Sequence, residues 1–207
     1  MLTFQDSAIG RFFNDCAKKG FMSEFDDDEK LKLADCFKQW EIQKGDKILE
    51  PGCGSGRLTV ELAKRVGDNG EIIGCDISEE MISRAQKREL DRNVTFLKSP
   101  VTAIPVKDNY FDIVMCFQVF PHFSERIKAL NEIYRVLKPN GFLWIVHLAG
   151  KSTINKRHHD AGDIIISHKI PDEVEMREIL SAQKFNIEEM QDTANIYSLK
   201  ARKLIQL

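Results

Sequence analysis

Short apolar runs alternate along most of this chain with stretches whose apolar positions recur at helical spacing. Ile48 and Leu49 close one run, as a strand buried on both faces would. Leu58, Leu62, Ala63 and Val66 follow at the spacing of a helix with one apolar face. Residues 71–75 form the next run, and Ser78 is placed to cap a helix reaching to about Leu90. Residues 93–97 predict a third strand, 111–116 a fourth and 142–147 a fifth. Between the last two, Ile127, Leu130, Tyr134 and Leu137 mark the inward face of a helix, and Pro139-Asn140-Gly141 a turn. Such alternation predicts a parallel sheet with right-handed crossovers.

The two ends read differently. Residues 4–21 predict a helix with Phe4, Ala8, Phe12 and Cys16 on one face, followed by an apolar connection. Asp26 to Asp28 open a second helix, where acidic side chains favour the positive end of the dipole, and Leu33, Phe37 and Trp40 give it a buried stripe. Residues 149–169 break the rhythm, polar and basic at first and then apolar at Ile164 to Ile166. A connection this long after a strand is a functional loop, expected over the active site at the carboxyl edge of the sheet. Pro171 precedes a helix with Met176, Ile179 and Leu180, and residues 185–190 and 196–201 read as two terminal strands.

The densest chemistry lies in Glu50-Pro51-Gly52-Cys53-Gly54-Ser55-Gly56, between the first strand and its helix. Glycine lets the backbone turn sharply and a ligand lie directly on it. A dinucleotide fingerprint spaces its glycines at positions 1, 3 and 6. Here they fall at 1, 3 and 5, with Glu50 two residues ahead. A carboxylate at that point repels a pyrophosphate and suits a ligand bearing an ammonium and a sulfonium. Asp76, twenty residues past Gly56 and at the end of the second strand, is placed to accept from both ribose hydroxyls.

These motifs resemble those of the class I S-adenosylmethionine-dependent methyltransferases. Residues 50–56 look like their first motif and Gly74-Cys75-Asp76-Ile77-Ser78-Glu79-Glu80-Met81 like their second. Asn109-Tyr110-Phe111-Asp112-Ile113-Val114 and residues 132–143 match two later ones. The likeness runs from about residue 10 to the C-terminus and is closest to the small-molecule branch that includes quinone and sterol methyltransferases. It implies a Rossmann-like α/β fold, doubly wound, with seven strands, mostly parallel and ending in an antiparallel strand, and helices on both faces. It also implies that Glu50 and the loop at Gly52, Gly54 and Gly56 hold the methionine part of S-adenosylmethionine, while Asp76 holds the ribose. Ile77 and Met81 would touch the adenine, although Met81 equally fits a core position. Many relatives carry an acid after the third strand for the adenine amino group; this chain has Lys98-Ser99-Pro100-Val101 instead. Adenine recognition then falls to the Val101 backbone or the Ser99 hydroxyl, beside Pro100. The Phe117 carbonyl and Gln118 lie where the cofactor ammonium is expected. Residues 1–44 are either a lid over the cofactor or ordinary packing helices.

Composition narrows the partners. The chain has 207 residues, enough for one domain, and a net charge of −2 from 30 basic and 32 acidic residues. That balance gives no electrostatic footprint for nucleic acid, and no apolar run reaches the length of a membrane helix. The N-terminus, with Asp6 and Arg11 among its apolar residues, does not read as a signal peptide. Five scattered cysteines without a C-x-x-C pair read as reduced thiols of a cytoplasmic protein. The segment after the fourth strand lacks the Asn or Asp followed by Pro-Pro-Tyr of nucleobase amino methylases. The resemblance to the small-molecule branch implies a small-molecule acceptor, and Phe117, Phe120, Phe123 and Ile164 to Ile166 point to a partly hydrophobic one. A non-catalytic S-adenosylmethionine-binding protein and a nicotinamide oxidoreductase are the competing classes. The second of these cannot use Glu50.

All five histidines fall after residue 120. His122 follows the fourth strand, His147 ends the fifth, and His158, His159 and His168 belong to the long loop. The expectation is that His122, His147 and at least one of His158 and His159 face one cleft beside the methyl donor. His122 or His147 would then act as general base. Alternatively His122, His147 and His158 would hold a divalent metal, completed by Asp160 or Asp163.

Overall fold

The first three apolar runs become parallel strands, the first two with their aliphatic side chains buried and the third with its own half-buried. These are β1 (Lys47–Pro51), β2 (Glu71–Asp76) and β3 (Val94–Lys98), with Ile48 opposite Ile72 and Ile73 opposite Thr95. The computed structural model describes residues 8–21, 23–88 and 93–205. Its contacts divide the chain into two compact units, Met1–Pro100 and Val101–Leu207.

In the first unit α1 (Ala8–Lys18) packs on α4 (Glu79–Ala85), where the Ser78 hydroxyl donates to Asn14 Oδ1 at 2.6 Å. Phe4, expected on the same helix, lies outside the described residues. Helix α2 (Asp27–Gln39) starts at a capping box: the Glu29 amide donates to the Asp26 carboxylate at 2.8 Å, and the Asp26 amide to Glu29. Helix α3 (Arg57–Val66) buries Leu58, Leu62, Ala63 and Val66 against β1 and β2, as its spacing requires. Helix α4 is shorter than expected. Ser78 caps it through the Met81 amide, and it ends at Ala85; residues 89–92 are outside the described set.

The second unit contains β4 (Phe111–Phe117), a 3-10 turn (Phe120–His122), α5 (Arg126–Val136) and β5 (Leu137–His147). After them come α6 (Lys151–Asp160), α7 (Glu173–Ala182), β6 (Phe185–Asp192) and β7 (Tyr197–Lys203). The seven strands are ordered β3-β2-β1-β4-β5-β7-β6, and β7 runs antiparallel to both of its neighbours. Its core includes Phe111, Met115, Phe120, Leu130, Trp144 and Phe185, all almost wholly buried. At the sheet edge β6 buries only Phe185 and shifts register between Ile187 and Glu189.

Four expectations need correction here. Ile127 is 47% exposed, because α5 turns Ala129, Leu130, Ile133 and Val136 inward instead. Leu137 belongs to β5, where it pairs with Phe111, and Phe142 pairs with Ile113 after a register shift. The expected turn at 139–141 is thus an irregularity within β5, with Asn140 at φ 63°. The stretch 149–169 is half helical: α6 is polar all round, with only Ile154 buried, so it carries no apolar period to read.

Two glycines give a test of how the loop is built. Gly56 has φ +77°, and a Cβ there would lie 2.9 Å from Phe96 Cζ and 3.2 Å from Ala85 Cβ. Gly67 has φ +64° with nothing within 4 Å of its would-be Cβ. Gly56→Ala is expected to cost about 2–4 kcal/mol, from strain plus overpacking, and Gly67→Ala only about 1 kcal/mol. Urea denaturation of both variants measures the difference, and equal losses would contradict the close packing at Gly56.

Candidate cofactor loop and histidine cluster

Glu50 ends β1 with only 2% of its surface exposed. The Thr59 hydroxyl, one turn into α3, donates to its Oε2 at 2.5 Å. Burial pushes the Glu50 carboxyl up to about 8, against the opposing pull of Thr59 and Arg57. A buried acid with one hydroxyl partner is matched to a cation that arrives with a ligand. Thr59 was not singled out from the sequence. Its position two residues inside the helix after a glycine loop is the signal that could have found it.

Asp76 organises the loop itself. Its Oδ2 accepts from the Gly54 amide at 3.0 Å and its Oδ1 from the Ser78 amide at 2.8 Å. Burial raises this carboxyl above its ordinary value, while the amides of Ser78, Gly54 and Ile77 hold it down. Gly52, Gly54 and Gly56 all have positive φ, so the loop follows a path closed to most side chains. Gly74 in β2 leaves room for the loop's Cys53, since a Cβ there would meet the sulfur at 3.0 Å.

Two arginines that the sequence reading passed over fasten the loop to the segment before α2. Arg57, nearly buried, pairs with Glu29 at 2.9 Å and lies over the Phe25 ring at 4.2 Å. Arg88 donates to the Ser55 carbonyl at 2.5 Å and to the Ser23 carbonyl, and pairs with Glu24 at 3.1 Å.

The remaining expected cofactor residues fall as follows. Met81 is 2% exposed, and its sulfur lies 3.9 Å from where a Cβ on Gly54 would be. Ile77 is half-buried beside it in sequence. Ser99 is buried, its amide donating to the Asp76 carbonyl at 3.1 Å, with Pro100 half-buried after it. In the second unit Val101 is half-buried and Phe117 buried, while Gln118 adopts φ 54° with its amide on the Val146 carbonyl.

Four histidines of the second unit come together. His122 Nδ1 lies 3.0 Å from His168 Nδ1, and its ring centroid 4.7 Å from that of His158. His158 Nδ1 is hydrogen-bonded to the His168 carbonyl. His147 is 2% exposed and pairs across the strands with Tyr197, their rings 6.5 Å apart. Burial, reinforced by the neighbouring imidazoles, pushes His122 down to about 2 and His147 down to about 3. His159 stays apart, exposed and 3.2 Å from Asp160. Among the described residues no group of three or more His, Cys, Asp and Glu side chains is arranged to hold a metal ion. The expected set of His122, His147 and His158 is not among such groups: His122 Nδ1 faces His168 Nδ1, and His158 Nδ1 the His168 carbonyl.

This strand order, with an acid closing β1, a glycine loop and an acid closing β2, defines a Rossmann-like nucleotide-binding protein. The sequence model of the methyltransferase domain matches residues 42–199, and the chain belongs to that family, the class I S-adenosylmethionine-dependent methyltransferases. It is 32% identical over 112 residues to the ubiquinone/menaquinone biosynthesis C-methyltransferase UbiE of Yersinia pestis (strain Pestoides F). That match covers 52% of this chain and 45% of the relative, less than half its length. The solved structure of a SAM-dependent methyltransferase from Aquifex aeolicus superposes with a TM-score of 0.73 at 27% identity, covering 92% of this chain and 98% of that one. The [4+2]-cyclase SpnF shares the fold, with a TM-score of 0.74 at 19% identity over 96% of each chain. Among the described residues no helix is long and apolar enough to cross a membrane.

Glu50 makes the ligand-free protein sensitive to pH. Its carboxyl protonates near 4.5 ordinarily and near 8 in the fold, so between these values the native state holds the extra proton. Stability from this group is complete below about 4.5 and falls as pH rises through about 8. Glu50→Gln keeps a partner for Thr59 and carries no charge. At pH 8.5 this variant is expected to be more stable than wild type by about 1–3 kcal/mol, and the difference should vanish at pH 4.5. Thermal melts at the two pH values check it.

Proposed function

We propose that this protein transfers a methyl group from S-adenosylmethionine to a small-molecule acceptor. The single observation that carries the reading is Glu50, a carboxylate buried at a strand end with one hydroxyl partner. Such a group favours a cation and rejects a pyrophosphate. When bound, S-adenosylmethionine supplies an electrophilic methyl on its sulfonium. Glu50 and the backbone of Gly52, Gly54 and Gly56 receive the methionine part, and Asp76 the ribose hydroxyls. Ile77 supplies the apolar contact to the adenine, with the Ser99 hydroxyl reading its edge. Helix α1 and the arginine-tied segment before α2 form the lid over the loop.

The relatives named for ubiquinone and menaquinone biosynthesis favour a small organic acceptor, as does a net charge of only −2. His122 and His147 serve as neutral hydrogen-bonding groups, because imidazoles held at about 2 and about 3 are poor proton acceptors near pH 7.

Calorimetry on the purified chain tests the cofactor. S-adenosylmethionine and its demethylated product are expected to bind, and a nicotinamide dinucleotide is not. Asp76→Ala should weaken S-adenosylmethionine by about 10- to 150-fold, from the loss of charge-assisted hydrogen bonds. It should also lower ligand-free stability, since the same carboxylate holds the Gly54 and Ser78 amides. Dinucleotide binding without a response to S-adenosylmethionine would sink the assignment. Transfer of labelled methyl across a metabolite pool then identifies the acceptor.

A further inference from the structure

Glu50 is almost wholly enclosed, and the ionisable groups around it in the first unit are committed elsewhere. Its Oε2 meets the Thr59 hydroxyl at 2.5 Å, and Thr59 is itself fully buried in the first turn of α3. Arg57, on the same helix, is paired with Glu29 and lies over the Phe25 ring. Asp76, at the end of β2, is held by the Gly54 and Ser78 amides and adds like charge. The thiols of Cys53 and Cys75 are buried, and burial keeps them neutral. An enclosed carboxyl in such company takes up a proton rather than stay charged.

A threonine hydroxyl suits both states of that carboxyl. It donates when Glu50 is charged, and it accepts the carboxyl's own proton when Glu50 is neutral, by rotation about one bond. Valine in its place would match its shape and offer neither. Of the two states the contact favours the charged one, against burial. Thr59 thus decides how readily the proton leaves.

Resting on the methyltransferase reading above, we propose that S-adenosylmethionine binds in exchange for a proton of Glu50, and that Thr59 is the positioning residue that sets the pH range of that exchange. The carboxyl O–H bond breaks, its electron pair stays on Glu50, and the proton passes to water. The ligand's positive charge replaces it beside the carboxylate, with the Thr59 hydroxyl turned to donate. The contribution of Glu50 to affinity therefore rises with pH and levels off above about 8. A bound cofactor in turn keeps Glu50 charged at a pH where the empty fold holds it neutral.

Calorimetry in two buffers of different ionisation enthalpy counts the protons exchanged when S-adenosylmethionine binds the full chain. Glu50→Gln, run alongside, subtracts those of the ligand's own amino group. At pH 7 wild type is expected to release about 0.9 proton more than Glu50→Gln. At pH 8.5 the excess should fall to about 0.2 in wild type and stay above about 0.5 in Thr59→Val, which loses a hydrogen bond to the charged form. Thr59→Ser, which keeps the hydroxyl, should match wild type, and a loss of packing alone would leave the count unmoved. No excess over Glu50→Gln at pH 7 overturns the proposal; so does a Thr59→Val that matches wild type, or a Thr59→Ser that does not. Carbon NMR of ligand-free wild type labelled at glutamate, with Glu50→Gln assigning the signal, needs no Thr59 variant to fold. The Glu50 carboxyl should titrate near 8, and a midpoint near 4.5 overturns the proposal. In each of these outcomes S-adenosylmethionine still binds and the methyltransferase reading stands. Failure of wild type to bind it at any pH from about 6 to about 9 would overturn that reading, and the proposal with it.

Discussion

The carboxylate of Asp76 is the constraint on which the cofactor loop depends. One oxygen fixes Gly54 and the other fixes Ser78, so a single side chain at the end of β2 joins the turn after β1 to the start of α4. The three glycines can hold positive φ because that anchor, and the packing of Gly56 on Phe96, leave the backbone no cheaper path. Glu50 depends on this in turn. Its burial at the end of β1 is tolerable only while the loop keeps α3, and with it Thr59, at hydrogen-bond distance.

Two acids therefore stand at two neighbouring strand ends, both raised by burial but satisfied by different partners. Asp76 is satisfied by backbone amides and does structural work before any ligand arrives. Glu50 has a hydroxyl for company and is shifted towards its neutral form. A cation entering beside Glu50 would displace its proton, so ligand charge and carboxyl charge are coupled at one point.

The parts legible in the sequence were those whose signal is local. Apolar runs located the strands, most plainly the buried β1, β2 and β4, and Leu58, Leu62, Ala63 and Val66 located α3 by period. Helix α6 was illegible because it has one buried residue and therefore no period. Ile127 misled because an apolar residue at a helix start may face water without penalty large enough to shift the helix. Thr59, Arg57 and Arg88 act across many residues of chain, to Glu50, Glu29 and Ser23, and no local pattern encodes such pairings. The histidines were legible as a group but not in their roles: His168 and Tyr197 entered only through tertiary contact, and His159, adjacent to His158, points elsewhere.

The edge strand β6 has a consequence for how the chain meets other chains. Its outer residues include Glu188, Glu189, Gln191 and Asp192, and its ladder to β7 is broken by the shift after Ile187. A strand that bends and carries like charges makes a poor template for another strand, since pairing would bring those charges into one ladder. Lys200 and Arg202, reaching from β7 to Glu188, neutralise part of that charge within the fold without flattening the strand. The antiparallel pair that completes the sheet is thereby also its guard against intermolecular β-association.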